Sequence, residues 1–183
     1  MRLFVSINLK DDVLREVRLL QQQLCAREDA RLSPARHIHI TLGFLGEVTP
    51  ENAHGVAQAL GEDKFSPFGV RLTHLGVFGA RKHPRVIWLG LEPRHPLVEL
   101  HCKVKEALEE VHPSAFGKGR FEPHVTLARV KQTYSSKTLM AAIDTAIIPQ
   151  LEMRIEGFSL MQSTLTSAGA AYTELGNYPA TYT

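Results

Sequence analysis

The sequence has only two cysteines, Cys25 and Cys102, far apart and in no Cys-x-x-Cys pair. Their scarcity excludes a zinc ribbon and a dithiol redox motif, and it argues against a secreted, disulfide-stapled scaffold. Long apolar runs are missing too. The opening MRLFVSINLKDD has an apolar stretch too short for a signal peptide, with an acidic pair directly behind it, and no stretch approaches the length of a membrane span. These absences predict a soluble protein in the reducing cytoplasm, with no membrane partner. Excess charge of one sign is also lacking, because 21 Lys and Arg against 19 Asp and Glu leave a net +2. That balance excludes a polybasic nucleic-acid coat but leaves room for a local anion site. Low-complexity segments are absent. The 183 residues are 44% hydrophobic and 22% charged, the proportions of a globular chain long enough to bury a core without metal or disulfide. We expect a single domain over 1–183 with at most two lobes, and a monomer for want of any oligomer signal.

What the sequence does have is order and histidine. Residues 2–9 (RLFVSINL) read as a buried strand, and DDVLREVRLLQQQLCARE reads as a helix with Val13, Val17, Leu20 and Leu24 on one stripe. A turn signal at Ser33-Pro34 closes that unit. His37 to Gly46 alternates as a strand, a helix starts at Pro50, and a strand starts at Val70. The order then repeats. There is a strand at 85–92, a helix at 96–111 with Leu97, Leu100, Val104 and Leu108 on a stripe, and a strand at 121–130. A helix from Ser136, a strand over 151–163 and a last strand over 170–178 follow, while Gly117 to Gly119 reads as a flexible loop. The two runs of β-α-β-α-β match best at HITLGFLG, from His39, and HVTLARVK, from His124. Such a repeat predicts two lobes related by an approximate two-fold axis, with these strands facing one another across a groove.

Side chains on a strand alternate between faces. His39 and Thr41 therefore share one face and Ile40 and Leu42 the other, and His124 and Thr126 oppose Val125 and Leu127 in the same way. Two lobes in register bring both polar pairs to one cavity. That set suits hydrolysis of a phosphodiester. One neutral imidazole takes a proton from the attacking water and the other, protonated, gives one to the leaving oxygen. The threonine hydroxyls donate to non-bridging oxygens, and an arginine neutralises their charge. Arg129 follows His124 by five, so it reaches the same face only if the strand bends, bulges or ends near Ala128. A zinc site formed by His37, His39 and His124 is the competing reading, although it gives the threonines no task and lacks a carboxylate or cysteine at ligand spacing. A single His-x-Thr on a strand is commonly just a surface pair, so the argument rests on there being two. His37 is expected to line the cleft rim or to stand just behind the residues that touch substrate. His54, His74, His83, His95, His101 and His112 share no pattern and are expected at incidental surface positions. The basic runs at Arg81, Lys82 and Arg85 and at Lys118 and Arg120 could steer an RNA backbone, and solvated loops are the ordinary meaning of such runs.

At these residues the sequence resembles the two-histidine phosphoesterase superfamily, and within it the RNA 2′,3′-cyclic phosphodiesterases, also called 2′-5′ RNA ligases. RLFVSINL resembles their opening strand, and HIHITLGFLGEV and PHVTLARV resemble their paired motifs. FGARKHPRVIWLGL resembles their middle segment, and SLMQSTLTSAGAAYTEL their closing one. The resemblance implies an α+β, bilobal fold with antiparallel-rich sheets around a central cleft. It implies hydrolysis of 2′,3′-cyclic phosphate ends on RNA, tRNA fragments included, to 2′-phosphomonoesters, with no metal and no nucleotide cofactor. His39 matches the family's proton donor and His124 its proton acceptor. Thr41, Thr126 and Arg129 match its phosphate binders. Members also join RNA ends through a 2′-5′ linkage without ATP. His37 departs from the pattern, since relatives often carry Asn or Trp two residues before the first motif histidine. A module that binds phosphate ends without chemistry, and an enzyme for another small cyclic phosphate, remain open alternatives.

Overall fold

Helices form where one apolar stripe recurs, and each buries that stripe against the sheet. Helix α1 (Asp11–Cys25) buries Val13, Val17, Leu20 and Leu24, and it begins with Asp11 and Asp12, where the helix dipole favours acids. Helix α2 (Pro50–Glu62) starts on a proline and buries Val56 and Leu60. Helix α3 (Arg94–Glu109) buries Leu97, Leu100, Val104 and Leu108, the stripe expected of it. Helix α4 (Ser136–Asp144) is capped by the Ser135 hydroxyl, which accepts from the Thr138 N–H. The structure, a computed structural model, describes residues 1–62, 64–113, 116, 119–167 and 169–182. Gly117 and Lys118, part of the expected loop and of one basic run, lie outside them.

Among the described residues there are nine strands: β1 (Arg2–Asn8), β2 (Ala30–Pro34), β3 (His39–Glu47), β4 (Phe68–Ala80), β5 (His83–Glu92), β6 (His124–Thr133), β7 (Glu152–Ile155), β8 (Gly157–Thr166) and β9 (Gly169–Pro179). They form one antiparallel sheet in the order β7-β4-β5-β6-β3-β1-β8-β9, with β2 beside β6. The sheet nearly parts in the middle, where β3 and β6 share the single pair Ile40–Val125. The α+β class with two related halves is therefore present, but the halves of the sheet are not the halves of the sequence. β4 follows β3 in the chain yet pairs with β5 and β7. In return β8 pairs with β1 and β9. Each sequence repeat thus lends its last strand to the other half of the sheet.

Two sequence expectations are corrected here. Residues 151–163 do not form one strand. The chain breaks at Glu156, so that β7 pairs with β4 on one side of the molecule and β8 with β1 on the other. Both pieces are strand-like in composition, and local pattern cannot report a change of partner. Ser33-Pro34 is not a turn but the end of β2, paired with Arg129 and Ala128 of β6. Proline is tolerated there because it ends an edge strand.

Beyond Pro34 the chain leaves β6 and rejoins it at Ile40. It spends five residues, 35–39, passing the two, Thr126 and Leu127, that separate Ala128 from Val125. The excess forms a bend over 35–38, which carries Arg36 and His37. His37 therefore lies before the strand that was expected to include it. Beneath this junction the core is apolar: Ile40, Leu42, Val125, Leu127 and Ala128 are all buried. Burial of each larger aliphatic side chain contributes roughly 1.5–3 kcal/mol, which fixes which face of β3 and β6 turns inward.

Candidate active site

The other face of β3 and β6 carries the polar residues. Extending the Ile40–Val125 register by one residue each way sets His39 across from Thr126 and Thr41 across from His124. That register makes the two histidines diagonal neighbours, a relation that in a regular ladder spans roughly 7–8 Å between Cα atoms and somewhat less between Cβ atoms. His39, Thr41, His124, Thr126 and Arg129 line one cleft of about 570 Å³, and His37 lines it beside them. All five residues singled out in the sequence are thus brought together.

Bulges put Arg129 there. Between Ile87–Ala128 and Trp88–Thr126 the ladder skips Leu127, so Leu127 and Ala128 both point inward and Arg129 turns to the cleft. In β3 the ladder skips Leu42 in the same way, between Val5–Gly43 and Ser6–Thr41. The residue brought to the cleft there is Phe44, 67% exposed and five residues after His39, as Arg129 is five after His124. A bulge frees a carbonyl from the ladder, and a buried carbonyl needs a donor. Gln21 of α1 donates to the Leu127 carbonyl at 2.7 Å and to that of Ala35 at 2.9 Å. His101 of α3 donates through Nδ1 to the Leu42 carbonyl at 2.7 Å. A second bulge in β3 leaves out Leu45, whose carbonyl accepts from His112 Nε2 at 2.8 Å. His101 and His112, expected at incidental surface positions, therefore secure the strand that carries His39. No sequence pattern marks this task.

Each motif histidine is oriented by a carbonyl two residues behind it. His124 Nδ1 donates to the Glu122 carbonyl at 2.7 Å, and the Glu122 side chain is held by Arg94 at 2.6 Å. His39 likewise bonds to the His37 carbonyl. A carbonyl only accepts, so Nδ1 of His124 carries the proton and its Nε2 is left as the free ring nitrogen. Aromatic side chains partly screen both rings from water. Phe4 and Tyr172 stand 5.3 and 5.8 Å from His39 between ring centroids, and Phe78 and Trp88 stand 4.8 and 6.2 Å from His124. Burial pushes the His39 imidazole down to about 4; the charges of His37 and His124 act in the same direction, and the bond to the His37 carbonyl opposes them. His124 is also pushed down by burial, against the opposing pull of the Glu122 carbonyl and carboxylate. Both rings are therefore neutral near pH 7.

Among the described residues, the buried side-chain polar atoms without a hydrogen-bond partner are Ser6 Oγ and Trp88 Nε1. Ser6 pairs across the ladder with Thr41, and Trp88 with Thr126. The His37 ring packs 4.4 Å from that of Tyr172, and among the described residues no three His, Cys, Asp or Glu side chains are grouped to hold a metal ion. Of the basic runs, Arg81 is ion-paired with Asp144, Lys82 and Arg85 do not line the cleft, and Arg120 lines a neighbouring groove. Arg36, Lys131, Phe44 and Tyr172 line the cleft without having been singled out in the sequence. Phe44 had a signal in its spacing from His39. Arg36 had none, because its place depends on the extra residues of the bend.

Known proteins are similar to this chain in sequence and in fold. An RNA 2′,3′-cyclic phosphodiesterase of Archaeoglobus fulgidus is 30% identical over 96% of this chain and 98% of its own length. One of Thermotoga maritima is also 30% identical, over 94% of this chain and 91% of its own. A crystal structure from Thermus thermophilus, 27% identical, superposes with a TM-score of 0.76 over 98% of this chain and 97% of that one. Escherichia coli LigT in its apo form, at 24% identity and covering 99% and 98% of the two chains, matches the fold with a TM-score of 0.77. The family model of the 2′-5′ RNA ligase superfamily matches residues 6–166, and the chain belongs to that superfamily.

Proposed function

We propose that the protein hydrolyses the 2′,3′-cyclic phosphate at the end of an RNA strand to a 2′-phosphomonoester, without a metal ion or nucleotide cofactor. Water attacks phosphorus as the Nε2 of His124 takes its proton. The P–O3′ bond breaks, and the 3′ oxygen takes a proton from the His39 imidazolium. The Thr41 and Thr126 hydroxyls donate to the non-bridging oxygens, and Arg129 offsets their charge as it grows. Each positioned imidazole is worth about 10²–10⁴-fold in rate. Burial makes His39 the harder ring to protonate. The phosphodiester supplies the missing condition, since its negative charge favours the protonated ring and draws in one proton with the substrate. A 5′-hydroxyl in the place of water makes a 2′-5′ linkage by the same transfers.

The observation that carries this reading is the paired His-x-Thr set, one from each half of the sheet, opening on one cleft that no carboxylate lines among the described residues. The names of the relatives support the choice of RNA ends. The test is incubation with an oligonucleotide ending in a 2′,3′-cyclic phosphate, in EDTA, followed by identification of the product end. A 2′-phosphate is expected, with turnover abolished in His39→Ala and His124→Ala while both variants stay folded. An intact cyclic end after prolonged incubation with the wild-type protein refutes it.

A further inference from the structure

The cleft is larger and more basic than one cyclic phosphate requires. Three cations line it, Arg36, Arg129 and Lys131, and among the described residues none of them is ion-paired. Lack of a carboxylate partner does not by itself set them apart, because among the described residues Arg2, Arg15, Arg18, Arg31, Arg85 and Arg120 also have none, while Arg27, Arg71, Arg81 and Arg94 pair with Asp29, Glu92, Asp144 and Glu122; what distinguishes Arg36, Arg129 and Lys131 is that they meet at one cleft. With near balance of charge over the whole chain, three unneutralised cations in a cleft free of acids form a local anion field. A single phosphodiester carries one negative charge and occupies only the end of β6 at which His124 and Thr126 lie.

The three cations are not equivalent. Arg129 is the one that a bulge turns towards the motif residues. Lys131 lies two residues further along β6, roughly 7 Å beyond Arg129 at the rise of a strand. Arg36 approaches from the bend before β3, its guanidinium carbon 3.8 Å from where a Cβ on Gly169 would stand. Gly169 has φ +115, a conformation that glycine adopts readily, and it opens β9. Leu165, 87% exposed on β8, lies at the same end of the cleft. An apolar surface beside unpaired cations suits one nucleotide unit, a base on the side chains and a phosphate between the charges.

We propose that Arg36 and Lys131 form an outer subsite for the phosphodiester that joins the terminal nucleotide to its 5′ neighbour. This rests on the phosphodiesterase reading above and makes it narrower: the preferred substrate is an oligonucleotide end, not a cyclic mononucleotide. The phosphate binds there without reacting, and its hold on the two cations keeps the cyclic phosphate in register between the histidines.

The test compares uridine 2′,3′-cyclic phosphate with the dinucleotide UpU ending in the same cyclic phosphate. A third substrate is that dinucleotide with its internal linkage made neutral as a methylphosphonate. Charge-assisted hydrogen bonds to one phosphate are expected to raise kcat/KM for the charged dinucleotide about ten- to a hundredfold over the mononucleotide. The methylphosphonate, and the Arg36→Gln/Lys131→Gln double variant with the charged dinucleotide, should each forfeit most of that ratio. The salt dependence of kcat/KM for the dinucleotide should flatten in the variant, by about 0.7 in logarithmic slope for each phosphate that is no longer neutralised. A wild-type ratio near one, or a ratio that neither change lowers, overturns the outer subsite while leaving the phosphodiesterase reading intact. No turnover of any of the three overturns both.

Discussion

Replacing His39 by glutamine removes a titrating group from the cleft wall, and the consequence for folding can be worked out from its surroundings. The ring's folded value of about 4 lies well below its ordinary 6.5, so between those values the unfolded chain binds more protons than the folded one. Stability is therefore full above pH 6.5 and falls away as the pH drops from 6.5 towards 4. At pH 5 the cost from this one ring is about 2 kcal/mol, against almost none at pH 7.5. Glutamine fits a similar space, has an amide to offer the His37 carbonyl and does not titrate. For a chain of this size about 2 kcal/mol corresponds to roughly 4–8 °C in Tm. Thermal unfolding at pH 7.5 and pH 5.0 should therefore show a drop in Tm that is about 4–8 °C smaller for His39→Gln than for the wild type. Each protein serves as its own reference, so a constant cost of the substitution cancels. Equal drops in the two proteins refute the claim that burial holds this ring neutral.

Two other outcomes follow from the same geometry. Because burial lowers both histidines and turnover needs one neutral and one protonated ring, kcat/KM against pH should be bell-shaped with its maximum below pH 6.5, reporting the pair rather than either ring; a maximum above pH 8 contradicts it. Gln21→Leu leaves the Ala35 carbonyl and one lone pair of the Leu127 carbonyl without a donor, at a cost of about 1–3 kcal/mol, and an unchanged urea midpoint would show that the bulge needs no such support.

Much of this site could be read from the sequence because strand alternation is strictly local. His39, Thr41, His124 and Thr126 share a face with their partners whatever the rest of the fold does, and Ile40 and Val125 fix which face that is. The stripes of α1 and α3 were legible for the same reason. What escaped were choices of partner. The break at Glu156 and the lending of β4 and β8 between the halves involve pairings far apart in the chain, which local pattern does not report. The strand at β2 was hidden because Ser33-Pro34 has turn chemistry, which the edge of β6 overrides. Arg129 was reachable only through a bulge, and the donors that hold the bulges, Gln21 and His101, come from helices remote in sequence from the strands they serve. Arg36 and Lys131 carry no motif at all, and only the geometry of the 35–38 bend and of β6 sets them at one cleft.

The central claim is that two imidazoles from the two halves of the sheet flank one phosphorus atom. A crystal structure with a nucleoside 2′-phosphate bound tests this most directly. The account predicts the phosphate between His39 and His124, with an Nε2 of each ring and a hydroxyl of each motif threonine at hydrogen-bond distance from its oxygens. A phosphate seated elsewhere, or touched by only one of the two rings, contradicts it.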